Sequence, residues 1–161
     1  MNERILVPLD GSKTGEAALP VIEGLISKFS PELKVEITLL NVITGLTHWV
    51  VAGEASAPVR YTEKEIDHIK KKASDYLKKA GQSLKDIGVT VKPRVEIGNA
   101  ADTIIKVADE INANLIAMST HGRSGFSALA FGSETVKVLR GANMPVLTVR
   151  AAVVLEETDQ A

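Results

Sequence analysis

Continuous apolar runs that alternate with helix-spaced apolar stripes constrain this chain more than any other feature of its sequence. Ile5-Leu6-Val7-Pro8-Leu9 is apolar throughout and stops at Asp10-Gly11-Ser12, the pattern of a strand covered on both faces. From Glu16 to Lys28 the residues Ala17, Ala18, Val21, Ile22, Leu25 and Ile26 fall on one helical stripe. Pro20 lies inside that stripe and has no N–H to give, which predicts a kinked helix or one that starts late. Val35 to Val42 reads as a second strand. Glu63 to Ile87 predicts the longest helix, since Ile66, Ile69, Ala73, Leu77, Ala80, Leu84 and Ile87 recur at spacings of three and four before Gly88. Val89 to Ile97 alternates as a strand, and Pro93 within it favours a sheet edge. Asn99 is placed to cap a helix over Ala100 to Ile111. Leu115 to Met118 is a further strand, helical spacing returns at Val136 to Arg140, and Pro145 to Val149 closes the series.

The order is strand–helix four times, then a strand. Parallel neighbours need a crossover, and helices are the usual crossover. The expected fold is therefore α/β: a three-layer, open, parallel five-stranded sheet with helices on both faces. Ligands of such sheets lie beyond the C-terminal strand ends, where the strand order reverses. Here those ends are Asp10, Val42 and Ser119. The stretch Ile43 to Thr62, with Gly45, Gly53 and Pro58, shows no clear period and reads as a long functional or mobile loop, its Trp49 suited to a lid.

The end of the fourth strand carries a second signal. Ser119-Thr120-His121-Gly122 is followed ten residues later by Gly132-Ser133 and then by the last helical segment. A strand that runs through a small-residue loop to a helix N-terminus can hold phosphate. Backbone N–H groups approach the anion there, and the helix end adds about half a positive charge.

Bulk properties narrow the classes. At 161 residues the chain fits one domain with a sizeable core. Its net charge of −1 lacks the basic footprint of a nucleic-acid-binding protein. No cysteine is present, which removes disulfides and thiolate metal sites and fits a cytoplasmic setting. The apolar run after Met1-Asn2-Glu3-Arg4 is too short for a signal peptide or a membrane span. Lys70-Lys71-Lys72 and Lys78-Lys79 lie mostly off the apolar stripe among acids and read as a solvated face. His48 and His68 show no metal-ligand spacing. The lysine-bearing Gly-x4-Gly-Lys-(Ser/Thr) loop is absent, as is an acid–base pair of recognisable geometry.

Val7-Pro8-Leu9-Asp10-Gly11-Ser12, Leu39-Leu40-Asn41-Val42-Ile43, Met118-Ser119-Thr120-His121-Gly122-Arg123-Ser124-Gly125 with Gly132-Ser133, and Pro145-Val146-Leu147-Thr148-Val149-Arg150 together resemble the universal stress protein family over residues 3–150. The resemblance implies a Rossmann-like sheet in strand order 3-2-1-4-5, with residues 1–150 as the nucleotide-binding domain and residues 151–161 as a polar tail. ATP-binding members carry Gly-x2-Gly-x9-Gly-(Ser/Thr). This chain reads Ser119-x2-Gly122-x9-Gly132-Ser133, so a serine stands at the first glycine.

By that resemblance, Pro8 and Leu9 line an adenine pocket, Asp10 contacts the ribose, and Val42 meets the base. The plainer readings are that Asp10 makes a turn with Gly11 and that Val42 is core. Ser119 is expected to hydrogen-bond a ribose or phosphate oxygen, or else to weaken the site. Gly122, Gly132 and Ser133 form the phosphate cradle, with Ser133 also able to cap the last helix, and Thr135 a weaker candidate. Arg123 suits phosphate on charge grounds, whereas His121 carries no catalytic reading. Glu134 opposes an anion unless it points away or holds Mg²⁺. The candidate cofactor set is thus Pro8, Leu9, Asp10, Val42, Met118, Ser119, His121, Gly122, Arg123, Gly132, Ser133, Glu134 and Thr135, for ATP with Mg²⁺. The expected function is ATP-dependent regulation in a stress response, against a slow ATPase or an interaction module with an empty crevice. Val146, Leu147, Thr148 and Val149 would form an apolar sheet edge, with Ala152-Val153-Val154-Leu155 beyond it, and the resemblance implies a homodimer through that strand.

Overall fold

The computed structural model describes residues 2–30, 32–52, 55–120 and 132–151. In chain order the elements are β1 (Asn2–Pro8), a 3-10 turn (Gly15–Ala17), α1 (Ala18–Ile26), β2 (Lys34–Ile43), β3 (Thr47–Ala52) and β4 (Ala55–Arg60). There follow α2 (Glu63–Ala80), α3 (Gln82–Asp86), β5 (Thr90–Ile97), α4 (Ala100–Glu110), β6 (Leu115–Thr120), α5 (Ser133–Gly141) and β7 (Val146–Arg150). Five strands pair in parallel in the order β5-β2-β1-β6-β7. With the β3–β4 pair set aside, that is the expected 3-2-1-4-5.

The apolar runs explain the layering. Side chains alternate between faces along a strand, so a run apolar at every position supplies two cores. Ile5, Val7 and Leu9 pack with Ile37 and Leu39 against Ile22 of α1, Leu77 of α2 and Leu84 of α3. Leu6, Leu40 and Ile116 face the other way, onto Ala101, Ile104, Val107 and Ala108 of α4 and Val138 of α5. β5 is an edge strand, with Pro93 opposite Leu39, as the proline demands.

The late start expected of the Pro20 helix is observed, and two other expectations need correction. Pro20 is the third residue of α1, which starts at Ala18. First-turn N–H groups have no intrahelical partner, so the proline removes no bond. The long helix is two helices, broken at Gly81. A Cβ at Gly81 would meet Leu39 Cδ1 and Val91 Cγ1, each at 2.8 Å, so the chain passes the sheet too closely for a side chain. Ile87, beyond the break, is exposed.

The second correction concerns Ile43 to Thr62, which is an antiparallel hairpin with Thr47 opposite Arg60 and Ala52 opposite Ala55. Trp49 (69% exposed) and Val51 (71%) face solvent on it, which is why no buried-strand period was visible. The hairpin is moored at its base: the His48 and Tyr61 rings lie 4.7 Å apart. Next to them Thr62 and Glu65 form a reciprocal capping box at the start of α2. The α2 lysines are exposed and Asp75 pairs with Lys71 and Lys78, as a solvated face requires. Among the described residues no helix is long and apolar enough to cross a membrane.

Candidate functional site

A cavity of about 340 Å³ opens beyond the C-terminal ends of β1, β2 and β6, at the reversal of strand order. Its apolar lining comes from Pro8 and Leu9 after β1, Leu40 and Val42 on β2, Met118 on β6 and Ile104 on α4. The β1 end is fixed there by two hydrogen bonds. Leu9 N–H donates to the Leu40 carbonyl and Asn41 Nδ2 donates to the Leu9 carbonyl, each at 2.8 Å.

Asp10 lines the cavity mouth and is exposed. Its Oδ1 accepts from the Ser12 N–H at 2.9 Å and from Ser12 Oγ at 2.6 Å, while Gly11 takes φ +87°. The turn-forming reading of Asp10 is therefore realised in the geometry, on the same carboxylate that borders the cavity. Ser12 Oγ in turn accepts from the Gly15 N–H at 2.9 Å, drawing Gly15 to the cavity wall.

Ser119 belongs to β6 rather than to the loop, paired in register with Val149. Its hydroxyl donates to the Gly15 carbonyl at 2.8 Å and accepts from the Ala18 N–H at 2.9 Å. The expected contact to ribose or phosphate thus has two internal competitors, both from the β1–α1 turn.

Two helix N-termini complete the wall. At α4, Asn99 Oδ1 accepts from the Asp102 N–H at 3.2 Å, as expected of an N-cap. Glu134 Oε2, reaching across from α5, accepts from the Ala101 N–H at 3.0 Å. Glu134 Oε1 accepts from Lys137 at 2.9 Å. The Lys137 ammonium first, then the Ala101 N–H, hold this carboxylate below the usual range, against a smaller opposing effect of burial. Glu134 therefore points at α4, one of the two ways it stays compatible with an anion.

At α5 the cap position falls on Gly132, at φ −50° and ψ 149°, a residue with no side chain to accept from the first turn. The expected capping role of Ser133 is thus corrected. Extended geometry at Gly132 starts the helix one residue earlier, leaving Ser133 as its exposed first residue. Gly132, Ser133, Glu134 and the buried Thr135 all line the cavity.

Ten of the thirteen residues singled out from the sequence border this one cavity: Pro8, Leu9, Asp10, Val42, Met118, Ser119, Gly132, Ser133, Glu134 and Thr135. His121, Gly122 and Arg123 lie outside the described residues. Gly15, Leu40, Ala100 and Ile104 also line it and were not anticipated. Leu40 could have been found from its spacing of two from Val42, which puts both on one face of β2. Ala100 follows a parallel strand and so starts its helix at the ligand end of the sheet. Ile104 sits one turn further on. Trp49 is not in the cavity wall. Among the described residues no three histidines or acids gather as a metal site.

The chain is thus an open α/β domain with its cavity at the topological switch point, where sheets of this class take their ligands. The universal stress protein family model matches residues 1–150, and the chain belongs to that family. Universal stress protein MJ0577 of Methanocaldococcus jannaschii is 26% identical over 157 residues, covering 93% of this chain and 96% of that one. The solved MJ0577 structure matches with a TM-score of 0.69 at 25% identity, over 94% of this chain and 97% of that one. YxiE of Bacillus subtilis is 27% identical over 152 residues, 93% of this chain and 100% of its own. More distant solved members hold adenine nucleotides. An Arabidopsis thaliana member with AMP bound has a TM-score of 0.61 at 15% identity, over 98% of this chain and 97% of its own. A member in complex with cAMP has 0.59 at 19%, over 93% and 98%, and an Archaeoglobus fulgidus member with dAMP 0.52 at 18%, over 91% and 96%. At those identities the likeness is one of fold.

Proposed function

We propose that this chain is an ATP-binding regulatory protein of the cytoplasmic stress response, in which nucleotide occupancy changes shape or partner choice. The observation that carries the reading is the cavity at the switch point, apolar on one side and bordered on the other by the N-terminus of α5, whose cap position is a glycine. Adenine rests against Pro8, Leu9 and Val42, and the ribose lies near Asp10. The phosphates lie along Gly132, Ser133 and Thr135, with Gly122, His121 and Arg123 contributed by the loop. Mg²⁺ would accompany the triphosphate and offset its charge, with Asp10 and Glu134 the carboxylates on the cavity rim. No residue is assigned a catalytic role.

Calorimetric titration of the nucleotide-stripped protein with ATP and Mg²⁺ tests this. Saturable binding at one site per chain is the expected result. No heat at high nucleotide concentration would reject the reading and leave an interaction module. A branched residue at Gly122 should abolish binding without unfolding the chain.

The same reading includes a homodimer through β7. Val146, Leu147, Thr148 and Val149 are half-buried, and β7 ends the sheet. Pairing of two such edges about a two-fold axis would cover them. A monomer in sedimentation at micromolar concentration would sink that part.

A further inference from the structure

We infer that Ser119 is a positioning residue for the cavity: its hydroxyl fastens the β1–α1 turn, so that the Asp10–Gly15 side of the cavity is built before a ligand arrives. The inference deepens the nucleotide reading and rests on it for the identity of the ligand alone. The turn is short and polar, and it leaves the sheet with a glycine at positive φ, features of a segment with little order of its own. Besides the Asp10 carboxylate, which holds Ser12, three side chains fasten it. Ser12 Oγ takes the Gly15 N–H from within the turn. Tyr76, on α2, donates to Glu16 Oε1 at 3.0 Å from one side, and burial with that carboxylate pushes the phenol well above its usual pKa, so it remains a donor. Ser119 comes from β6 and makes two bonds, donating to the Gly15 carbonyl and accepting from the Ala18 N–H.

The chemistry of those two bonds is specific. Ala18 is fully buried and opens α1, and its N–H reaches the Glu16 carbonyl two residues back, in the 3-10 turn that precedes the helix. The Ser119 hydroxyl is a second acceptor for it, brought from another strand. The same hydroxyl spends its proton on Gly15, whose neighbour across the turn is the Asp10 carboxylate. One small side chain therefore ties the end of β6, the start of α1 and the Asp10 side of the cavity together. Glycine at this position has no atom that could do so. The serine that departs from the family's glycine pattern is on this view a strut and not a defect in the site.

The test uses the full chain with Ser119→Ala and Ser119→Thr, and it has two independent readouts. In the ligand-free protein, S119A should speed amide hydrogen exchange at Ala18 by about five- to ten-fold, the worth of one or two net hydrogen bonds. ATP affinity by calorimetry should fall by a similar factor, because a smaller fraction of molecules holds the competent turn. S119T keeps the hydroxyl and should restore both. Unchanged exchange at Ala18 in S119A overturns the strut. So does a folded S119T that exchanges slowly at Ala18 yet binds ATP as weakly as S119A. Should the wild type take up no ATP, the nucleotide reading fails by itself, and the exchange arm still decides whether Ser119 holds the turn.

Discussion

Helices α4 and α5 both begin at the cavity, and they are finished in opposite ways. The first turn of α4 is answered by two side chains, Asn99 from its own cap position and Glu134 from the neighbouring helix. Below that turn Ala101, Ile104, Val107 and Ala108 are buried. The cap position of α5 is a glycine, which has no side chain to offer its first turn, and the helix buries Thr135 and Val138. Orphan N–H groups at a helix end need a partner from side chain, water or ligand. A chain that caps α4 twice and sets a glycine at the cap of α5 places beside the cavity one helix end held by side chains and one whose cap residue supplies no acceptor of its own. The position of Glu134 sharpens this division: it is part of α5's first turn, yet its carboxylate is spent on α4.

The largest effect should come from the framing helix. Ile104 is buried beneath the α4 cap and also faces the cavity. Ile104→Ala should cost about 2–4 kcal/mol in urea unfolding, the usual range for deleting a buried branched chain. A loss below about 1 kcal/mol would mean that the upper turn of α4 is not anchored, and the contrast between the helices would weaken.

Ser133→Asp addresses the glycine-capped helix. A carboxylate in the first turn complements the helix dipole, so the ligand-free protein should gain about 0.3–1 kcal/mol and melt slightly higher. The same charge competes with phosphate, and ATP affinity should drop about ten-fold or more. Opposite signs for stability and affinity are the diagnostic. Equal affinity in the variant would place the phosphates elsewhere.

Asn99→Ala asks the same question of α4. Loss of the N-cap should cost about 1 kcal/mol of stability. Nucleotide affinity should stay within about a factor of two, because the Ala101 N–H of that helix end is still held by Glu134. A large affinity loss there would show that α4, too, serves the ligand.

Much of this arrangement was written plainly in the sequence, and the reason is physical. A strand covered on both faces must be apolar at every position, so Ile5 to Leu9 and Leu115 to Met118 announce themselves, and parallel order follows from the helices between them. The cavity residues were legible for the same reason, since strand ends and helix starts fix where ligands lie. The hairpin was not legible: its strands are exposed, so Trp49-Val50-Val51 follows no inside–outside rhythm. The break at Gly81 was hidden because the glycine lies on the buried face, so the apolar stripe runs through it. Least visible were the hydroxyl of Ser119 and the carboxylate of Glu134. Each is engaged by residues more than thirty positions away, and no local spacing reports such a contact.

The smallest effect is the pH dependence carried by Glu134, and it tests whether that carboxylate truly belongs to α4. Its folded pKa is depressed, by Lys137 and then by the Ala101 N–H. A depressed carboxylate contributes stability that is complete above the unfolded pKa and is lost as pH falls through the folded one. Glu134→Gln keeps the side chain's shape and removes the charge. The variant should be less stable than the wild type near neutrality, and the gap should close on acidification through the carboxylate range. Salt should narrow it as well, because the Lys137 partner is half in solvent. A gap that persists unchanged at low pH would mean that shape rather than charge holds Glu134 against α4. The carboxylate would then be free to respond to whatever anion reaches the end of α5.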